Sequence, residues 1–131
     1  MENRDSNIFD LRGGTLGTVT PQSSVEEAFQ NITLRPILKL QNDLFIQVFI
    51  NYAIKQKNVF FGLTIDKKLN YIENSIHRDM KFRNLLKGMI IGFFTVNEFH
   101  DYVKNSSNLN KRMMNLLIER LKNQLQLIEN Q

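Results

Sequence analysis

At 131 residues, 42% of them hydrophobic, the chain has enough apolar material for one domain with its own core and too little length for a second. It has no cysteine, which excludes disulfides, thiolate zinc sites, iron–sulfur clusters and cysteine nucleophiles, and which fits a cytoplasmic protein. The net charge of +4 is unevenly spread: residues 1–30 hold two bases against five acids, −3, while the remaining 15 bases and 8 acids give +7. An acidic segment joined to a basic body can lie against that body or shield it from wrong partners. No basic start followed by an apolar core marks an export signal, and no stretch reaches the roughly 18 uninterrupted apolar residues of a membrane span.

Residues 1–22 show no helical period and carry Gly13, Gly14, Gly17 and Pro21 among several Ser and Thr. This composition predicts a disordered N-terminal tail, with residues 1–30 as a flexible acidic segment and residues 31–131 as a helical domain. Ile8, Phe9 and Leu11 are the apolar cluster of the tail, suited to docking on a partner or on the protein's own body. Ser23 and Ser24, each followed three residues later by Glu26 and Glu27, predict a capped short helix through Val25, Ala28 and Phe29 that ends near Asn31.

Pro36 suits a first helical turn, and Ile37, Leu40, Leu44, Val48 and Tyr52 recur at helical spacing, predicting one long helix to about Lys57. Phe45, Ile46, Phe49, Ile50 and Ile54 make that helix apolar over most of its circumference. Asn58 and Gly62 bracket a break, after which Thr64 caps a helix with Ile65, Leu69, Ile72 and Ile76 on one face. The stripe changes phase at Asp79 and continues through Phe82, Leu85, Leu86, Met89, Ile90 and Phe93, which predicts a new helix or a bend there. Thr95 and Glu98 form a capping box opening a short helix expected to bury Val96, Phe99 and Val103. After a break at 105–107, a last helix is expected from Asn108 to Ile128. Nothing alternates with period two, so the fold class is all-α, a small bundle of about five helices.

No catalytic constellation emerges. Glu73 and His77 share a helical face, but one face offers two ligands where a catalytic zinc needs three, so a surface pair is the simpler reading. His100 and Asp101 point in different directions, and the Gly13 to Gly17 run lacks the Lys-Ser or Lys-Thr of a phosphate loop. Neither a metal nor another cofactor is implied. Gly88 and Gly92 form a GxxxG that predicts close approach of a neighbouring helix.

Two surfaces suggest binding. Arg78, Lys81, Arg83 and Lys87, with Lys111 and Arg112 brought near by folding, are candidates for contacting the phosphates of RNA or DNA, although at ~100° per residue they do not form one stripe. The surplus of apolar residues argues for a protein partner, with Ile8, Phe9, Leu11, Phe45 and Phe49 as candidate contacts. Met114, Leu117, Leu121 and Ile128 approximate a heptad seam interrupted by Gln124, which leaves a homo-oligomer open. The expectation that follows is a non-catalytic helical adaptor or accessory subunit of a larger cytoplasmic protein assembly, with a nucleic-acid-associated factor as the alternative.

The segments Leu34-Arg35-Pro36-Ile37-Leu38-Lys39-Leu40-Gln41-Asn42, Leu86-Lys87-Gly88-Met89-Ile90-Ile91-Gly92 and Leu109-Asn110-Lys111-Arg112-Met113-Met114-Asn115 resemble those of small helical proteins of flavobacterial type, over roughly residues 30 to 125. Some members of that group carry the name glyoxalase. The name implies metal-assisted isomerisation of a thiol adduct on βαβββ modules with His and Glu ligands from several strands; here it would have to recruit Glu73, His77 and His100.

Overall fold

The computed structural model describes residues 3–129. Met1, Glu2, Asn130 and Gln131, the outer ends of the expected tail and of the expected 31–131 domain, lie outside the described residues. Every regular element among the described residues is helical, but the helices are shorter and more numerous than the five expected. In chain order they are α1 (Arg4–Arg12), α2 (Val25–Phe29), a π-helical turn (Gln30–Leu34), α3 (Arg35–Leu40), α4 (Asn42–Lys55), a 3-10 turn (Val59–Gly62), α5 (Ile65–Arg78), α6 (Met80–Ile91), α7 (Val96–Val103), α8 (Ser106–Asn123) and α9 (Leu125–Glu129).

The N-terminal segment is the main correction to the sequence reading, because it is ordered and packed. Pro36 supplies the physical reason. It has no N–H, so a helix running through it leaves carbonyls without donors. Position 36 would bond the Ile32 carbonyl in α register and the Asn31 carbonyl in π register. Instead, Arg12 Nη2 donates to Ile32 O at 3.1 Å and the Leu16 N–H donates to Asn31 O at 2.9 Å. The segment before α2 thus docks where proline frees acceptors, and the helix begun at Val25 bulges and runs on into α3 without ending near Asn31.

Further bonds fix the same segment. Arg4 donates to Phe94 O at 2.8 Å and Gly92 O at 2.9 Å, covering carbonyls just past the end of α6. Asp5 accepts from the Val96 N–H at the start of α7, where a carboxylate is favoured by the helix dipole. Ile8 is only 7% exposed. The loop between α1 and α2 is pinned by Asn31, whose Nδ2 donates to Thr18 O at 3.1 Å. Gly17 makes this close approach feasible: its φ is +95°, and a Cβ there would lie 2.8 Å from Asn31 Cγ.

Several capping signals work as read. The Ser24, Thr64 and Asp79 side chains accept from the N–H of Glu27, Lys67 and Phe82, and Thr95 with Glu98 forms a reciprocal capping box. Asp79 also ends α5, and its other oxygen accepts from the Tyr52 hydroxyl at 2.8 Å. That hydrogen bond, with the one from the Phe82 N–H, holds its carboxyl below the usual range.

The expected helix from Pro36 to Lys57 is instead two, separated at Gln41. In α4 Phe45, Ile46, Phe49, Ile50 and Ala53 face inward while Leu44 is exposed, as is Leu40 at the end of α3. Phe49 lies at the centre of a ring cluster with Phe60, Tyr71 and Phe82, and Tyr52 stacks on Phe82 at 3.9 Å between centroids. α8 crosses the core with Leu109, Met113, Met114, Leu117, Ile118 and Leu121. The expected helix from Asn108 to Ile128 breaks at Gln124, letting α9 turn Leu125 and Ile128 into the core against α4. The amides of Asn42 and Gln124 hold that corner through two reciprocal 2.7 Å hydrogen bonds. Gly88 does not mark a close helix crossing, since a Cβ added there would meet nothing within 4 Å. No helix among the described residues is long and apolar enough to cross a membrane.

Candidate functional site

The residues singled out from the sequence fall in several places. Phe45 and Phe49 are 0% exposed, so these core rings offer no surface to a partner, contrary to their assignment as contacts. Of the tail cluster, Ile8 is buried against the protein's own body, whereas Phe9 and Leu11 remain exposed, with Arg12 over the Phe9 ring at 5.1 Å.

The basic candidates are spread over the surface. Arg78 and Lys81 flank Asp79 at the α5–α6 corner; Arg83 turns back toward the Ile76 carbonyl and His77 Nδ1, each 3.5 Å away. Lys87 is half-buried on α6, Lys111 is exposed on α8, and Arg112 donates to Gln30 Oε1 at 2.9 Å. Glu73 accepts from Lys122 at 2.7 Å, a contact that holds its carboxyl below the ordinary range. Among the described residues no three His, Cys, Asp or Glu side chains are grouped to hold a metal, so Glu73, His77 and His100 do not form a ligand set. No strand is present there to build a βαβββ module.

A groove of about 520 Å³ lies between α2 and α7. On the α2 side Val25, Ala28, Phe29 and Ile32 follow i, i+3, i+4, i+7 spacing, the apolar stripe of an amphipathic helix. Phe29 enters the core, where it meets Phe94 edge to face at 5.5 Å. Val25 and Ile32 are 80% and 41% exposed and have no partner helix over them. Asp101, Lys104 and Asn105 form the α7 side, and Leu109 adds to the apolar lining.

Thr33 and Glu98 also line this groove. The Glu98 carboxylate accepts from Arg12 Nη1 at 2.6 Å, Arg12 Nη2 at 2.9 Å, Thr33 Oγ1 at 2.6 Å and the Thr95 N–H at 2.8 Å. Burial by itself raises its pKa, but the hydrogen bonds from Arg12, Thr33 and Thr95 and the Arg12 charge outweigh that effect and hold it below the ordinary value. With every acceptor site engaged and the charge matched, Glu98 is anchored as a carboxylate and is poorly suited to act as a general acid.

The same network inverts α7. Val96, Phe99 and Val103, expected in the core, form an exposed stripe, while Glu98 and Tyr102 face inward. The apolar period of α7 was readable, but its direction was not, because the partner that draws Glu98 inward comes from α1. From the sequence Glu98 reads only as a capping residue. The orphan carbonyls implied by Pro36 within a helical run were the available signal that something must dock beside it.

Compared with models of known protein families, curated protein sequences and solved structures, the chain matches none.

Proposed function

We propose that this chain is a non-catalytic helical adaptor or accessory subunit of a larger cytoplasmic protein assembly, and that it takes the apolar face of a partner's amphipathic helix into the α2–α7 groove. The observation that carries this reading is the uncovered stripe of Val25, Ala28 and Ile32 above a rigid, charge-paired floor. Helix-in-groove recognition uses anchors at i, i+3, i+4 and i+7 in an apolar channel. Asp101 and Lys104, of opposite sign on the α7 rim, supply the polar contacts that fix register and direction.

The test compares wild-type protein with the Val25→Asp, Ile32→Asp double variant in co-purification from the native cell after nuclease and moderate-salt treatment. Both side chains are exposed, so the variant should keep its helicity. The reading requires a defined protein retained by wild-type and lost from the variant; equal retention by both overturns it.

A second reading, association with RNA or DNA, is supported by a different surface. Two shallow hollows share Tyr52 and Asp79 and together include Lys55, Arg78, Lys81 and Tyr71, three cations against one carboxylate beside aromatic rings. If this surface contacts phosphates, heparin or RNA binding falls with salt and is lost in Arg78→Gln, Lys81→Gln, while the groove variant binds normally.

A further inference from the structure

α3 and the end of α8 line a cleft of about 350 Å³. Two guanidinium groups line it, Arg35 at the start of α3 and Arg120 near the end of α8. Among the described residues neither forms an ion pair with a carboxylate within 4 Å. Each is nevertheless held in place. Arg35 Nε donates to Asn31 Oδ1 at 2.9 Å, and Arg120 Nη1 donates to Asn42 Oδ1 at 3.2 Å. Those bonds leave both terminal nitrogens of Arg35, and Nε and Nη2 of Arg120, without a hydrogen-bond partner among the described residues. Burial and then the neighbouring Arg35 charge hold Arg120 below the ordinary arginine pKa, the direction expected when two cations share a partly desolvated space.

Leu116, half-buried, gives the cleft an apolar wall, with the buried Leu38 behind it. Glu119, exposed at the rim, is its one acidic lining residue and reduces the net charge of the lining from +2 to +1. Fixed guanidinium groups with free donors match the oxygens of a phosphate, and a doubly charged phosphate relieves the repulsion between them. The support is independent of the proposed partner groove, because Asn31 and Asn42 rather than α7 orient the two arginines.

We propose that this cleft binds the phosphate group of a small organic phosphate, with the two arginines on the phosphate and the half-buried Leu116 against its carbon skeleton. The probes are inorganic phosphate and phenyl phosphate, titrated into the full chain at constant ionic strength and followed by amide chemical shifts and by the Arg35 and Arg120 side-chain N–H signals. Saturable shifts confined to residues around 31–38 and 116–124 are expected, with phenyl phosphate binding more tightly than inorganic phosphate. Arg35→Gln and Arg120→Gln should each weaken phenyl phosphate binding about tenfold or more, and Glu119→Gln should strengthen it. The Arg120→Gln variant should remain folded, since it removes a repulsion, and its amide spectrum in the absence of phosphate checks this. Shifts that do not saturate, or that persist in both arginine variants, overturn the site. Equal affinity for the two probes overturns the assignment of an organic ligand.

Discussion

Arg12 and Glu98 lie 86 positions apart in the chain and meet in a two-point ion pair, with Nη1 2.6 Å from Oε1 and Nη2 2.9 Å from Oε2. The Arg12 side chain is 1% exposed and that of Glu98 12%, so the pair is largely removed from water. It joins α1 to α7, while the remaining Arg12 bonds to the Ile32 and Phe93 carbonyls join both to the π-helical turn and to the end of α6. One buried polar atom, Arg12 Nε, has no partner, a local cost accepted within an otherwise satisfied network.

Removal of residues 1–22 should therefore destabilise the protein, although their composition suggested otherwise. The truncation strips Glu98 of its counter-charge and uncovers the carbonyls of Ile32 and Asn31. A loss of about 3 kcal/mol, or a fall in melting temperature on the order of 10 °C, is expected. Adding Glu98→Gln to the truncated chain should recover part of the loss, because it removes the unpaired buried charge. Thermal unfolding monitored by circular dichroism measures both effects.

Stability should also be lost in acid. The Glu98 pKa is lowered by folding, so its contribution is fully present above the ordinary value of 4.5 and is lost as pH falls through that value toward the folded one. The melting temperature should change little from neutrality down to about pH 5 and fall below that. Glu98→Gln should flatten the acid limb; an identical acid limb in wild-type and variant would assign the loss to other carboxylates.

Gly17→Ala should cost about 1–3 kcal/mol, because a side chain at a φ of +95° is strained and its Cβ would press on Asn31. Asn31 is poorly placed to yield, being bonded to Thr18 O and Arg35 Nε. Gly88→Ala serves as the control: its Cβ would meet no neighbour within 4 Å, and alanine favours the helix, so stability should be unchanged or improved by up to about 1 kcal/mol.

The contrast between these glycines shows what could be read from sequence. Local signals were legible: Thr64, Asp79 and the Thr95–Glu98 box mark helix starts because a cap and its target lie three residues apart. The all-α class followed from periodicity. The partners of Arg12, Gly17 and Gln124 lie many residues away, so α1, its loop and the α8–α9 corner were missed. A helical period likewise shows that α7 has an apolar face without saying which face the rest of the chain will cover. The groove depends on that choice. With Glu98 drawn inward toward Arg12, Asp101, Lys104 and Asn105 border the channel opposite α2.

The most direct test of this arrangement is a double-mutant cycle on Arg12→Met and Glu98→Gln, with stability measured by denaturant unfolding. Each single change should cost about 3 kcal/mol by leaving the other group buried without its partner. The double variant should cost much less than their sum, giving a coupling of at least about 1.5 kcal/mol. Additive losses, or single variants as stable as wild-type, would contradict the claim that this pair locks α1 and α7 together beneath the groove.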